Sequence, residues 1–124
     1  MARILLAEDD SSMRHFLNMA LKRAGHEVIP CRNGIEALEK LYEDKSHDKS
    51  FDLLLADIVM PGMDGIELSQ KAVLVCEDIR VMFITGFAAV AMGRRNPEHA
   101  NTRILSKPFH LKELVDQVGD ILAA

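Results

Sequence analysis

Five residues of this 124-residue chain carry side chains that could act together: Glu8, Asp9, Asp57, Thr85 and Lys107. They are three carboxylates, a hydroxyl and an ammonium, and each lies at or just past the end of a short apolar run. Glu8 and Asp9 follow Ile4-Leu5-Leu6-Ala7, and Asp57 follows Leu53-Leu54-Leu55-Ala56. Thr85 closes Val81-Met82-Phe83-Ile84, and Lys107 follows Arg103-Ile104-Leu105-Ser106. Three crowded carboxylates repel one another unless a cation sits among them. Oxygen ligands select a hard ion, and Mg2+ fits such a set while keeping several waters. A carboxylate beside Mg2+ and an ammonium can accept a phosphoryl group, with the hydroxyl binding one of its oxygens. Gly86 leaves room for that group, and Val59 could offer a metal only its backbone carbonyl. Taken singly, the same residues have plainer readings: Asp9 and Asp10 as helix caps, Asp57 as a turn opener, Thr85 as a cap, Lys107 as a solvated charge.

The elements that must position these groups are readable in outline. Continuous apolar runs at 4–7, 53–56 and 81–84 suit strands buried on both faces of a parallel sheet. Weaker strands are expected at 27–30 and 103–106. Met13, Phe16, Leu17, Ala20, Leu21 and Ala24 form one helical face, with Asp10-Ser11-Ser12 before it and Gly25 after it. Helices are expected from Asn33, burying Ile35, Leu38 and Leu41, and from Asp64, carrying Ile66, Ala72 and Val73. The last helix carries Leu111, Leu114, Val115, Val118, Ile121 and Leu122. A fourth segment, 87–92, is expected to be short or irregular because Gly93, Asn96 and Pro97 interrupt it. The polar stretch 45–50 reads as a loop. Alternating strands and helices imply an α/β domain, a five-stranded parallel sheet flanked by five helices, occupying residues 1–124 with no separate output domain. Open sheets of this kind bind ligands beyond the carboxyl ends of their strands, where the five residues fall.

Composition narrows the function. Lys and Arg number 15 against 19 Asp and Glu, a net charge of −4, with no long basic block, so a nucleic-acid partner is disfavoured. No apolar run approaches the ~18 residues that span a bilayer, and no secretory signal is evident, so neither membrane nor export is expected. Cys31 and Cys76 read as reduced cytoplasmic thiols. The histidines show no metal-ligand spacing, and His110 reads as a cap or surface residue.

Glu8-Asp9, Asp57 with Met60-Pro61-Gly62-Met63-Asp64-Gly65, Thr85-Gly86 and Lys107-Pro108-Phe109 together resemble a bacterial response-regulator receiver domain. The resemblance covers essentially the whole chain. It implies a flavodoxin-like sheet of order 2-1-3-4-5, with Asp57 as phosphoacceptor. It also implies Mg2+ held by Glu8, Asp9, Asp57 and the Val59 carbonyl, and phosphoryl oxygens bound by Thr85 and Lys107. The Lys107–Pro108 bond would be cis. The implied phosphodonor is a histidine kinase or histidine phosphotransferase, docking on the first helix around Ser11, Met13, Arg14 and Leu17. Ile4–Asp10, Asp57–Pro61, Val81–Ala91 and Leu105–Leu111 further resemble the single-domain receivers of bacterial cell-cycle control. In those, the unphosphorylated form primes the ClpXP protease and phosphorylation turns this off. The terminal Ala123-Ala124 resembles a tail that ClpX recognises.

The sequence also departs from the family pattern. Many receivers carry an aromatic residue where this chain has Ile104, so another element, expected within 87–102, must report the phosphoryl group. Val59 and Phe87 are apolar where they flank the acyl phosphate, which predicts slow intrinsic dephosphorylation. Two other functions compete. An aspartyl phosphohydrolase would place a second Asp two residues after the nucleophile, where Val59 stands. A constitutive binding adaptor with a vestigial site would not need all five residues intact. Nucleotide binding lacks a G-x-G-x-x-G or G-x-x-x-x-G-K-[ST] motif.

Overall fold

The computed structural model describes residues 1–86 and 102–123. The segment expected to form a fourth helix at 87–92, all but the last residue of the segment 87–102 given the reporter role, and Ala124 lie outside the described residues. The chain runs β1 (Arg3–Ala7), α1 (Ser11–Arg23), β2 (Glu27–Cys31), α2 (Gly34–Ser46), β3 (Leu53–Asp57), α3 (Gly65–Val75), β4 (Arg80–Thr85), β5 (Thr102–Ser106) and α4 (Leu111–Ala123). All pairings are parallel and the sheet order is β2-β1-β3-β4-β5, as expected.

The apolar runs are continuous because both faces of the sheet are covered. Leu5, Leu54 and Phe83 point to one side, where Ala37 and Leu41 of α2 and Ile66, Leu68 and Ala72 of α3 close a core. Ile4, Leu6, Leu53, Leu55 and Met82 point to the other, against Leu17 and Leu21 of α1 and Leu114, Val118 and Ile121 of α4. Each of these fully buried leucines contributes about 2 kcal/mol of transfer free energy.

Caps set where the helices begin. The side chains of Asp10, Asn33 and Asp64 accept from the backbone N–H of Met13, Glu36 and Glu67, at 2.9, 2.8 and 2.8 Å. Each satisfies a donor that the first turn leaves open. At the end of α1, Gly25 adopts φ 98°, and the N–H groups of Gly25 and His26 donate back to the carbonyls of Lys22 and Leu21. That left-handed position is the one a glycine reaches without strain.

Two expectations need correcting. Helix α2 continues to Ser46, so the first two residues of the polar stretch 45–50 are helical. The Ser46 hydroxyl donates to the Glu43 carbonyl at 2.6 Å, and Lys45 suits the negative end of the helix. The inward face of α2 is Gly34, Ala37, Leu41 and Asp44, whereas Ile35 is 56% exposed and Leu38 only half-buried. A buried aspartate turns that face. Asp44 is paired with Arg3 of β1 and, at 3.4 Å, with Lys40. Arg3 also binds Glu27 at 2.7 Å and lies 4.2 Å from the centre of the Phe51 ring. This cluster ties α2 to the start of β1, at the edge of the sheet away from the candidate site.

Candidate functional site

Strand register brings the reactive groups to one edge. Ala7 lies opposite Ala56, Asp57 opposite Ile84, and Thr85 opposite Ser106, so β1, β3, β4 and β5 finish almost level. The residues that end or follow them are Glu8 and Asp9, Asp57, Thr85 and Lys107. The turn after β3 is held by Ile58, whose N–H donates to the Ile84 carbonyl and whose carbonyl accepts from the N–H of Gly65. Gly65 has to be glycine, since a Cβ there would lie 2.2 Å from the Asp57 carbonyl oxygen.

Carboxylate oxygens of Glu8, Asp9 and Asp57 lie within 4.8 Å of one another. Glu8 is fully buried, Asp57 nearly so at 7%, and Asp9 is exposed, which leaves the cluster open to solvent on one side. Lys107 reaches in from the far strand, with Nζ 3.0 Å from Asp57 Oδ2 and 3.3 Å from Glu8 Oε1. The Lys107–Pro108 bond is cis, as the resemblance implies. The backbone N–H of Val59 donates to Asp57 Oδ1 at 3.2 Å, and the Val59 side chain is 56% exposed.

Electrostatics at this edge are those of a site short of positive charge. Burial, reinforced by the Asp57 carboxyl, pushes Glu8 up to about 7, and Lys107 pulls it back only in part. Burial works against the charged form of Lys107, yet the hydrogen bond to Asp57 and the field of Glu8 override it and raise the ammonium. One lysine does not satisfy the set. Glu8 Oε2 is buried with no hydrogen-bond partner. An all-oxygen donor set with an unpartnered carboxylate oxygen fits a small hard cation.

The structure therefore gathers four of the five sequence-derived residues, Glu8, Asp9, Asp57 and Lys107, through their side chains. Thr85 is fully buried at the neighbouring strand end, where its carbonyl accepts from the Lys107 N–H at 2.8 Å. Arg14 is a contributor that the sequence reading missed as a site residue. Its guanidinium Nη1 donates to the Glu8 carbonyl at 2.9 Å and reaches the Asp9 carbonyl at 3.5 Å. The only available signal was a cation in the first turn of a helix that comes after an acidic pair. Leu17, expected on a docking face, is fully buried. The large apolar residues that α1 exposes are Phe16, at 58%, and Met19, at 45%. They line an open groove of about 520 Å³ with Leu111 and Val115 of α4. His110 is exposed, and its carbonyl accepts from Leu114 N–H at the start of α4, as a cap does. Cys31 and Cys76 are free thiols, and burial pushes Cys31 up to about 12, which makes it inert at neutral pH.

A model of the response regulator receiver domain matches residues 4–119. The chain belongs to the response regulator receiver family. Over all 124 residues this receiver is 50% identical to the response regulator receiver protein CpdR of Brucella abortus, covering 99% of that protein. It is 36% identical over 121 residues to the sensor kinase CckA of the same organism, where it spans 98% of this chain and 12% of the kinase. Among solved structures, it superposes on the response regulator TrrA of Thermotoga maritima, crystallised with Mg2+ and BeF. The TM-score is 0.82 at 27% identity, covering 98% of this chain and 99% of that one. Receivers bind Mg2+ at an acidic pocket and act in two-component signalling with histidine kinases and phosphotransferases. Among the described residues, no helix is long and apolar enough to cross a membrane.

Proposed function

We propose that this receiver is a phosphorylation-controlled switch in which Asp57 accepts a phosphoryl group from a phosphohistidine of a kinase or phosphotransferase. The observation that carries this reading is the convergence of three carboxylates within 4.8 Å, one of them with an unpartnered buried oxygen, on a lysine 3.0 Å from Asp57. Glu8, Asp9, Asp57 and the Val59 carbonyl would hold Mg2+, which supplies charge neutralisation at the transferring group. An Asp57 carboxylate oxygen attacks phosphorus, the P–N bond to the donor imidazole breaks, and an acyl phosphate remains on Asp57. Lys107 gives up its hydrogen bond to that carboxylate and binds a phosphoryl oxygen, and the Thr85 hydroxyl binds another. The exposed Val59 side chain brings no polar group that could orient an attacking water, which keeps the acyl phosphate long-lived.

The phosphodonor docks beside the site, on the start of α1 around Ser11, Met13 and Arg14, with Leu17 buried beneath. The output is control of ClpXP proteolysis, a reading supported by the 50% identity to CpdR along the full chain. In this reading the unphosphorylated form primes the protease, and the whole reaction takes place in the cytoplasm. The test has two arms. A phosphorylated histidine phosphotransferase should lose label to this chain in Mg2+ and not to Asp57→Ala. ClpXP turnover of a dependent substrate should be faster with unphosphorylated than with phosphorylated chain. Label transfer to Asp57→Ala contradicts the acceptor assignment, and equal turnover contradicts the ClpXP reading.

A further inference from the structure

We propose that Arg14 is a positioning residue for the metal site: its guanidinium holds the Glu8 carbonyl and so fixes the turn from which Glu8 and Asp9 present their carboxylates to one cation. The inference rests on the proposed function, in which these carboxylates bind Mg2+.

The turn between β1 and α1 carries Glu8, Asp9 and Asp10 in succession, and two of the three aim at the same point. Neighbouring carboxylates repel one another, so the bonds that pin this backbone decide where they point. The structure shows each pin. Glu8 N–H donates to the Cys31 carbonyl of β2 at 3.1 Å. Asp10 is fixed as the cap of α1, by its side chain on Met13 N–H at 2.9 Å and its carbonyl on Arg14 N–H at 2.8 Å. That leaves the Glu8 and Asp9 carbonyls, past the last sheet bond of β1 and short of the first helical bond. Arg14 is the group that reaches them, at 2.9 and 3.5 Å, from a half-buried position one turn into α1.

The direction of these bonds matters. Arg14 donates to main-chain carbonyls and not to the carboxylates, so it leaves the metal-binding oxygens free while adding positive charge nearby. Lys107 does the opposite, since its Nζ sits on Asp57 and Glu8 oxygens directly. Supports behind a ligand typically contribute about 10- to 100-fold to metal affinity. Mg2+ needs near-ideal octahedral geometry, whereas Ca2+ accepts looser and more variable coordination. A loosened turn should therefore cost Mg2+ more than Ca2+.

Isothermal titration of Mg2+ and of Ca2+ into wild type, Arg14→Met and Arg14→Lys tests this, with metal-free melting measured alongside. We expect Arg14→Met to weaken Mg2+ binding about tenfold and Ca2+ binding less than threefold. Arg14→Lys, which keeps a charged donor group without the planar fork, should recover part of the loss, and it carries the comparison if Arg14→Met does not fold. A purely electrostatic role predicts tighter binding of both ions once the charge is gone, which overturns the proposal. Equal losses for both ions, or unchanged affinities in a folded variant, overturn it as well. Failure of the wild type itself to bind Mg2+ overturns both this inference and the phosphoacceptor reading, whereas a normal wild type with an unaffected Arg14→Met overturns this one alone.

Discussion

Lys107 Nζ lies 3.0 Å from Asp57 Oδ2 while also reaching Glu8 Oε1 at 3.3 Å, so one ammonium occupies oxygens from two proposed metal ligands. Lysine and metal therefore compete for the same carboxylates before any phosphoryl group arrives. Two unit charges about 4 Å apart at an effective dielectric of about 20 interact by ~4 kcal/mol, which sets the ceiling for that competition. Removing the ammonium in Lys107→Met should tighten Mg2+ binding about three- to tenfold, because most of the ceiling is lost to solvent screening. The same variant should accept phosphoryl groups more slowly. Calorimetric Mg2+ titration checks the first half, and weaker binding in the variant would refute the competition.

Gly65 sets the height of Asp57. A methyl group there would meet the Asp57 carbonyl oxygen at 2.2 Å, and that oxygen and the Gly65 Cα that would carry the methyl both belong to backbone held in the sheet and in α3. Gly65→Ala should cost about 2–3 kcal/mol of stability, at the upper end of what overpacking does. Urea unfolding measures it directly. A variant as stable as wild type would mean that the turn after β3 yields more readily than its bonds to Ile84 and Ile58 suggest.

At the opposite edge, Asp44 links stability to pH. Burial by itself would raise this carboxyl, but the hydrogen bond and charge of Arg3, with Lys40, override it and lower it below its ordinary range. A lowered folded-state value means that the unfolded chain takes up the proton first as pH falls. The stabilisation is thus complete above the ordinary carboxylate value of about 3.9 and disappears as pH drops through the folded value. Asp44→Asn should destabilise the protein by about 2 kcal/mol at pH 7, and the gap from wild type should narrow at pH 3. An identical gap at both pH values would rule out the charge-pair origin.

Val59 is 56% exposed, so a polar residue of similar size fits there without disturbing the core. Its N–H already touches Asp57 Oδ1 at 3.2 Å, which keeps its side chain beside the acceptor. Val59→Asn adds an amide that can orient water toward the acyl phosphate and should speed hydrolysis several-fold. Loss of label from purified phosphoprotein gives the rate, and an unchanged rate would remove Val59 from the control of lifetime.

The edge that carries the site was legible because parallel strands buried on both faces leave unbroken apolar runs, and the polar residue closing each run stands out. Leu53–Ala56 leading into Asp57 is such a signal, and the structure buries all of Leu53, Leu54, Leu55 and Ala56 completely. The face of α2 was not legible. Ile35 is the more apolar residue, yet Asp44 is the one inside, because Arg3 from a distant strand meets it there. Phe16 and Leu17 were equally apolar on paper, and only the packing of α1 on the sheet separates the exposed one from the buried one. Arg14 was legible as a surface residue of the first helix but not as a support of the carboxylates, because its partners are main-chain carbonyls, which leave no mark in a sequence.

Everything proposed for this site depends on Asp57 being a Mg2+-dependent phosphoacceptor. The most direct measurement is intact-protein mass after incubation with a small-molecule phosphodonor, with and without Mg2+, for wild type and Asp57→Ala. Wild type should gain one phosphoryl group, and the gain should disappear when either Mg2+ or the Asp57 carboxylate is removed. A gain that survives in Asp57→Ala, or one that ignores Mg2+, would contradict it.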